Sequence, residues 1–248
     1  MRGEKNLGSW GLDPCDIIRS VQMRHLLTLV ITGTFLLPVL TGCTSTATVN
    51  SVQTSHTYAN KVKLKALLYV PDEIENRVLR TEPSTYICSA WKAEVDAGAG
   101  YRSAIANGLS AALASVQTVD KAPIPEMAKQ EQAHLLVTAA LGNENASITV
   151  SEGFWSNSIN TQFQASVTMT FLDKDGQALY SYVANGAGFG NQSGGCDEIA
   201  PALKTSMQTA LRQIADYVAQ STYGASPIRD YEKVILREDE GIIGTVAH

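Results

Sequence analysis

The chain has 248 residues, 44% hydrophobic and 17% charged, enough to bury one sizeable core in one domain plus tails. Its formal charge of -5 and the lack of a dense Lys/Arg stripe exclude a protein that holds nucleic acid by neutralising phosphates.

Residues 1–22 show no apolar period and contain Gly and Pro breakers, so they read as an upstream extension, with translation starting at Met23. Met23, Arg24 and His25 then form a short positive start, and Leu26 to Leu40 an apolar segment interrupted by Thr28, Thr32, Gly33, Thr34 and Pro38. A membrane-spanning helix needs roughly twenty apolar residues, so residues 23–42 read instead as a secretory signal ending in the small residues Thr41-Gly42.

Leu40-Thr41-Gly42-Cys43 resembles the lipobox of bacterial lipoproteins. The resemblance implies cleavage between Gly42 and Cys43, a diacylglycerol on the Cys43 thiol and an acylated new amino terminus. Two or more acyl chains anchor a protein firmly, at ~0.8 kcal/mol per buried CH₂, where one holds it marginally. Thr44 after the cysteine, rather than Asp, implies the outer membrane of a Gram-negative cell with the domain in the periplasm.

Residues 43–60 are rich in Ser and Thr and read as a flexible tether. Residues 61–221 read as a single α+β domain. It opens with an alternating strand over Val62, Leu64, Ala66 and Leu68, closed by Pro71, and continues through an irregular stretch over 72–97. Tyr101, Ile105, Leu109, Leu113 and Val116 recur at helical spacing and predict a helix over 101–116. Strands follow over Ala133–Leu141, Ala146–Val150 and Gln162–Asp173; in the last, Phe163, Ala165, Val167, Met169 and Phe171 alternate with polar residues, which predicts one wet face. Asp173-Lys174-Asp175-Gly176 is a hairpin turn leading into a strand over Gln177–Ala184. Ile199, Leu203, Met207, Ala210, Leu211, Ile214 and Val218 mark a long helix over 200–221.

The order β-α-β-β-β-β-α predicts an antiparallel or mixed sheet of four to five strands covered on one face by two helices. Residues 222–248 read as a polar C-terminal tail, disordered or serving as a docking segment. Element order, the Leu172-to-Gln177 hairpin and the terminal helix resemble small outer-membrane accessory lipoproteins that assist envelope assembly or secretion; the resemblance covers residues 60–221 and carries no functional residue across.

Between the last strand and that helix, NGAGFGNQSGGCDE invites a nucleotide-loop reading. A dinucleotide fingerprint would need Gly where Asn191 stands after Gly186 and Gly188, and a phosphate loop would need Lys where the chain reads Gly195-Cys196-Asp197. The stretch reads instead as a flexible connection pinned at Cys196. Cys88 and Cys196 are an even pair without CxxC spacing, which in an oxidising compartment predicts a structural disulfide. No HExxH or GxSxG motif occurs, and His134 has no sequence-adjacent ligand partner, so no metal, cofactor or catalytic set is expected.

The sequence therefore predicts a non-enzymatic, lipid-anchored accessory component working through protein contacts in the cell envelope. The alternative is a glycan- or peptidoglycan-binding lipoprotein, with Trp91 and Trp155 stacking on sugars in an aromatic groove.

Overall fold

The computed structural model describes residues 43–153 and 156–239. The described residues from Thr44 onward belong to one compact unit. The upstream extension and the signal at 23–42, Gly42 included, lie outside the described residues, as do Phe154 and Trp155.

Among the described residues there are eight strands and five α-helices: β1 (Cys43–Thr48), β2 (Val62–Tyr69), α1 (Asp72–Glu75), β3 (Val78–Thr81), β4 (Trp91–Asp96), α2 (Gly98–Ala112), β5 (Leu113–Val119), α3 (Pro125–Glu131), β6 (Leu135–Ser151), β7 (Asn157–Asp173), β8 (Ala178–Gly194), α4 (Ile199–Gly224) and α5 (Ser226–Asp239). They form a three-stranded sheet, β1-β4-β3, and a five-stranded sheet, β5-β2-β6-β7-β8. In the larger sheet β2 runs parallel to β5 and β6, while β6, β7 and β8 are antiparallel. The fold is α+β with a mixed sheet.

Helices α2 and α4 lie on one face of that sheet. Tyr101, Ile105 and Leu109 of α2 and Leu203, Met207, Leu211 and Ile214 of α4 are buried against Phe163, Val167, Met169 and Phe171 of β7. Among the described residues the opposite face is covered only at the β2 end, where Ala128 of α3 joins Ala133, Leu67 and Leu136 in a second small core. The helix expected over 101–116 ends at Ala112; Leu113 turns to φ -101°, ψ 153°, and Leu113–Val119 becomes an edge strand.

Four further expectations differ from the structure. The two strands expected over 133–150 are one strand, β6, whose register slips between Leu141 and Glu144. Ser166 Oγ accepts the Asn143 N–H at 2.8 Å, so the polar Gly142-Asn143 step is a bulge rather than a break. The slip turns the Glu144 side chain inward, where Arg77 Nε donates to it at 2.7 Å and the buried Tyr101 hydroxyl at 2.7 Å. Burial, and then the neighbouring carboxylate, push the Tyr101 phenol well above its ordinary range, so it stays a donor to Glu144.

The stretch expected to be a flexible connection is the second half of β8. Gly186, Gly188 and Gly190 alternate toward α4, and a Cβ on any of them would come under 3.0 Å from a helix carbonyl oxygen: that of Ala210, Ser206 and Ala202 respectively. Two strand residues advance ~6.7 Å and four helix residues ~6 Å, so the glycines and the helix turns keep step and the helix lies against bare backbone.

The expected tether is folded against the domain. Val49 and Val52 are buried, and Ser45 Oγ accepts the Ala200 N–H at 3.1 Å, capping the first turn of α4 from 155 residues away. Asp216 of α4 accepts Thr54 Oγ1–H at 2.6 Å, Ser55 N–H at 2.7 Å and Ser55 Oγ–H at 2.9 Å. Tyr58 stacks on Tyr223 with ring centroids 3.9 Å apart, and the Arg229 guanidinium covers Tyr223 at 4.2 Å. The expected polar tail likewise continues as α5 as far as Asp239, burying Ile228 and Ile235, and residues 240–248 lie outside the described residues. These few apolar side chains and side-chain acceptors are enough to order segments whose composition is polar throughout.

Burial acts to raise the Asp216 pKa, but the bonds from Thr54 and Ser55 outweigh it and hold the carboxyl below its ordinary 3.8. A depressed carboxylate contributes stability that is fully present above its unfolded pKa and is lost as pH falls through the folded one. Hydrogen-exchange protection of residues 52–58 should therefore hold from pH 7 to about 5 and fall below about pH 4. Asp216→Asn should already show the weakened protection at pH 7, and equal protection in the two proteins at pH 7 would remove this role for Asp216.

Candidate functional site

Strands β6, β7 and β8 are 17 residues each, and their only charged residues are Glu144 and Asp173. Neither side chain lies on the open face. Glu144 is turned inward to Arg77 and Tyr101, and Asp173 closes the hairpin turn, its Oδ1 accepting the Asp175 and Gln177 N–H groups at 2.9 and 2.8 Å. Gly176, at φ +85°, completes that turn in the conformation Gly adopts most readily.

Because strand side chains alternate, the residues of β7 that do not pack on the helices form a row of Asn160, Gln162, Gln164, Ser166, Thr168 and Thr170. Register sets Ser147, Asn145 and Ala140 beside this row on β6, and Asn191, Phe189, Ala187, Asn185 and Val183 on β8. Some neighbours are bonded across the strands: Asn191 Nδ2 donates to Asn160 Oδ1 at 2.6 Å, and the Thr170 and Ser181 hydroxyls are 3.3 Å apart. The result is a broad face of hydroxyls and carboxamides with no titratable group, on which Phe189 is 70% exposed and Val183 45%.

The middle of this face is hollowed into a groove of ≈450 Å³. Asn143, Asn145, Gln164, Ser166, Asn185 and Gln213 supply its polar lining. The bulge brings in Asn143, and Gln213 reaches around the sheet edge from α4, its Oε1 accepting the Ala187 N–H at 3.0 Å. Carboxamides offer both donors and acceptors without charge, so the groove suits a neutral polar ligand or peptide backbone rather than an ion. Phe189 is the next outward residue beyond Ala187 on the same face.

The sequence-predicted residues are distributed differently. Cys88 and Cys196 are joined, with Cα atoms 5.5 Å apart, tying the loop before β4 to the start of α4. Cys43 is the first residue of β1. Trp91 opens β4, half-buried against the main core, and does not line the groove; Trp155 lies outside the described residues. His134 uses Nδ1 to accept the Lys65 N–H at 3.1 Å. Ser89-Ala90-Trp91-Lys92 has the Ser-x-x-Lys spacing of one nucleophile motif, which a helix would gather on one face. Here the four residues cross from a turn into β4, and Lys92 pairs with Glu82 at 3.1 Å. Among the described residues no helix is long and apolar enough to cross a membrane.

No family model matches this chain, and no curated protein matches it. Among solved structures it is similar to a neuraminyllactose-binding hemagglutinin homolog from Helicobacter pylori, 14% identical at a TM-score of 0.39, over 72% of this chain and 97% of that one. It is also similar to a hypothetical protein from Chlamydia trachomatis, 16% identical at a TM-score of 0.35, over 66% of this chain and 97% of that one.

The groove residues escaped the sequence reading because register, not sequence proximity, assembles them. One signal was available: Tyr180, Tyr182, Ala184, Gly186, Gly188 and Gly190 alternate with Ser181, Val183, Asn185, Ala187, Phe189 and Asn191. The strand period runs on through the glycines once Gly is counted as an inward-facing residue.

Proposed function

We propose that this chain is a non-enzymatic lipoprotein, anchored in the outer membrane through Cys43, that serves as an accessory component of an envelope assembly. In this reading it offers the open face of β6–β8 to a protein partner. The observation that carries the reading is that face: three long strands presenting hydroxyls, carboxamides and two exposed apolar side chains, with no charge to desolvate when covered. The Cys88–Cys196 disulfide fits an oxidising compartment, and the anchor rests on Leu40-Thr41-Gly42-Cys43. Cys43 is disulfide-bonded in the uncleaved chain, so the reading requires its sulfur as a thiol when the lipid is transferred.

A second reading, glycan binding, is favoured by one observation: the neutral carboxamide groove with Phe189 beside it pairs hydrogen-bonding groups with a stacking surface.

Two measurements test these readings together. Intact mass of membrane-extracted protein should show a chain beginning at Cys43 with added acyl mass, and Cys43→Ser should lose it; an unmodified wild-type chain ends the anchor reading. A photo-crosslinker at Gln164 in cells should capture one discrete envelope protein, while the same probe at Lys92 on the small sheet should not. Equal capture from both positions argues against the face. Suppression of capture by soluble peptidoglycan fragments, with saturable binding that Gln164→Ala weakens, selects the glycan reading.

A further inference from the structure

The outer edge of β8 holds a feature the open face does not need. The Ala187 N–H points away from β7, since it is accepted by Gln213. By strand periodicity, alternate residues from Ser181 to Ser193 present their N–H and C=O groups along that edge. Among the described residues β8 pairs only with β7.

Proteins usually blunt such an edge with Lys, Pro, a bulge or a short strand. Over residues 180–194 β8 has no charge, no Pro and no register shift. The helix alongside matches it: Thr205, Thr209, Gln213 and Tyr217 recur every four residues on α4, all exposed and none charged. Gln213 bonds the edge and Tyr217 packs on Tyr182 of β8, with ring centroids 6.0 Å apart. In a chain of net charge -5, both layers of this margin are neutral.

The two exposed apolar residues of β8 also sit symmetrically. Val183 and Phe189 are each three residues from Gly186. Antiparallel pairing of two copies about a two-fold axis at Gly186 sets each Val183 opposite Phe189 of the other copy, and each Asn185 opposite its Ala187. Both are pairs of edge-pointing residues, as a hydrogen-bonded ladder requires, and aromatic with β-branched is a favourable cross-strand pair. Gln213, exposed on α4, releases Ala187 to the incoming carbonyl.

We propose that β8 pairs with β8 of a second copy of this chain, antiparallel and centred on Gly186, joining two five-stranded sheets into one of ten strands. The step goes beyond the reading of the open face and does not depend on it, although it would make the two open faces continuous.

A charge-exchange series tests the register. Analytical ultracentrifugation of the full chain in density-matched detergent should show a reversible dimer at concentrations up to about 100 µM. Val183→Lys and Phe189→Glu alone should each weaken it about tenfold or more, since each change strikes two symmetry-related pairs. The two changes together in one chain place opposite charges across both pairs and should restore most of the affinity. Both side chains are exposed, and melts recorded well below the dimer's dissociation constant, where wild type is also monomeric, should be unchanged and so confirm that the variants fold. A monomer throughout, a dimer indifferent to the single changes, or a double variant weaker than either single one overturns the proposal.

Discussion

Gly188→Ala should destabilise the protein by roughly 3 kcal/mol, although it adds a single methyl group. The new Cβ would meet the Ser206 carbonyl oxygen and the Ala210 nitrogen, both main-chain atoms of α4. A side-chain tip can rotate away from such a clash, but helix backbone can only lift. Lifting α4 there also opens the contacts of Met207 and Leu211 with β7, so the cost spreads along the helix. For a chain of this size the change corresponds to a fall in melting temperature of roughly 6–12 °C. Phe189→Ala, one residue away but facing solvent, is the control and should stay within about 0.5 kcal/mol of wild type. Equal melting temperatures for Gly188→Ala and wild type would mean that α4 does not lie against bare strand backbone.

Loss of the Cys88–Cys196 bridge should cost about 2–5 kcal/mol, because it closes a loop with a sequence separation of 108 residues and so restricts the unfolded chain strongly. The effect should also be local. Cys88 has φ +60°, unfavourable for any residue but Gly or Asn, and the bridge is the covalent hold on the loop between β3 and β4. The double variant Cys88→Ser/Cys196→Ser is a cleaner test than reductant, since Cys43 is disulfide-bonded as well. Urea midpoints should fall, and amide exchange over residues 82–92 should rise before that of β7. A midpoint unchanged by the double substitution would show that packing alone holds the loop.

The elements legible in the sequence are those whose apolar period is strong. The alternation from Phe163 to Phe171, the Asp-Gly turn, and the stripe from Ile199 to Val218 each state one buried face, and each forms as stated. The disulfide followed from parity and compartment. What escaped depends on atoms the pattern does not weigh. Glycines carry no hydrophobic signal, so the second half of β8 read as a loop, although leaving out side chains at Gly186, Gly188 and Gly190 is what lets a helix dock there. The Gly142-Asn143 step looked like a break because a bulge can only be recognised from its partner strand. Helix α3 is short, and its single fully buried side chain, Ala128, is too small to set a period. The carboxamide groove draws on three strands and a helix, and no local window contains it.

Strand β1 and the segment after it would also limit how far this protein could reach from an anchor at residue 43. A free Ser/Thr chain of the length expected for the tether would let its cargo sample a shell tens of ångströms deep. With Ser45, Val49, Val52 and Thr54 all engaged with the domain, almost no slack remains after residue 43. If that residue carries lipid, the domain rides close to the bilayer in a restricted orientation, and a partner must come to it rather than be fished for.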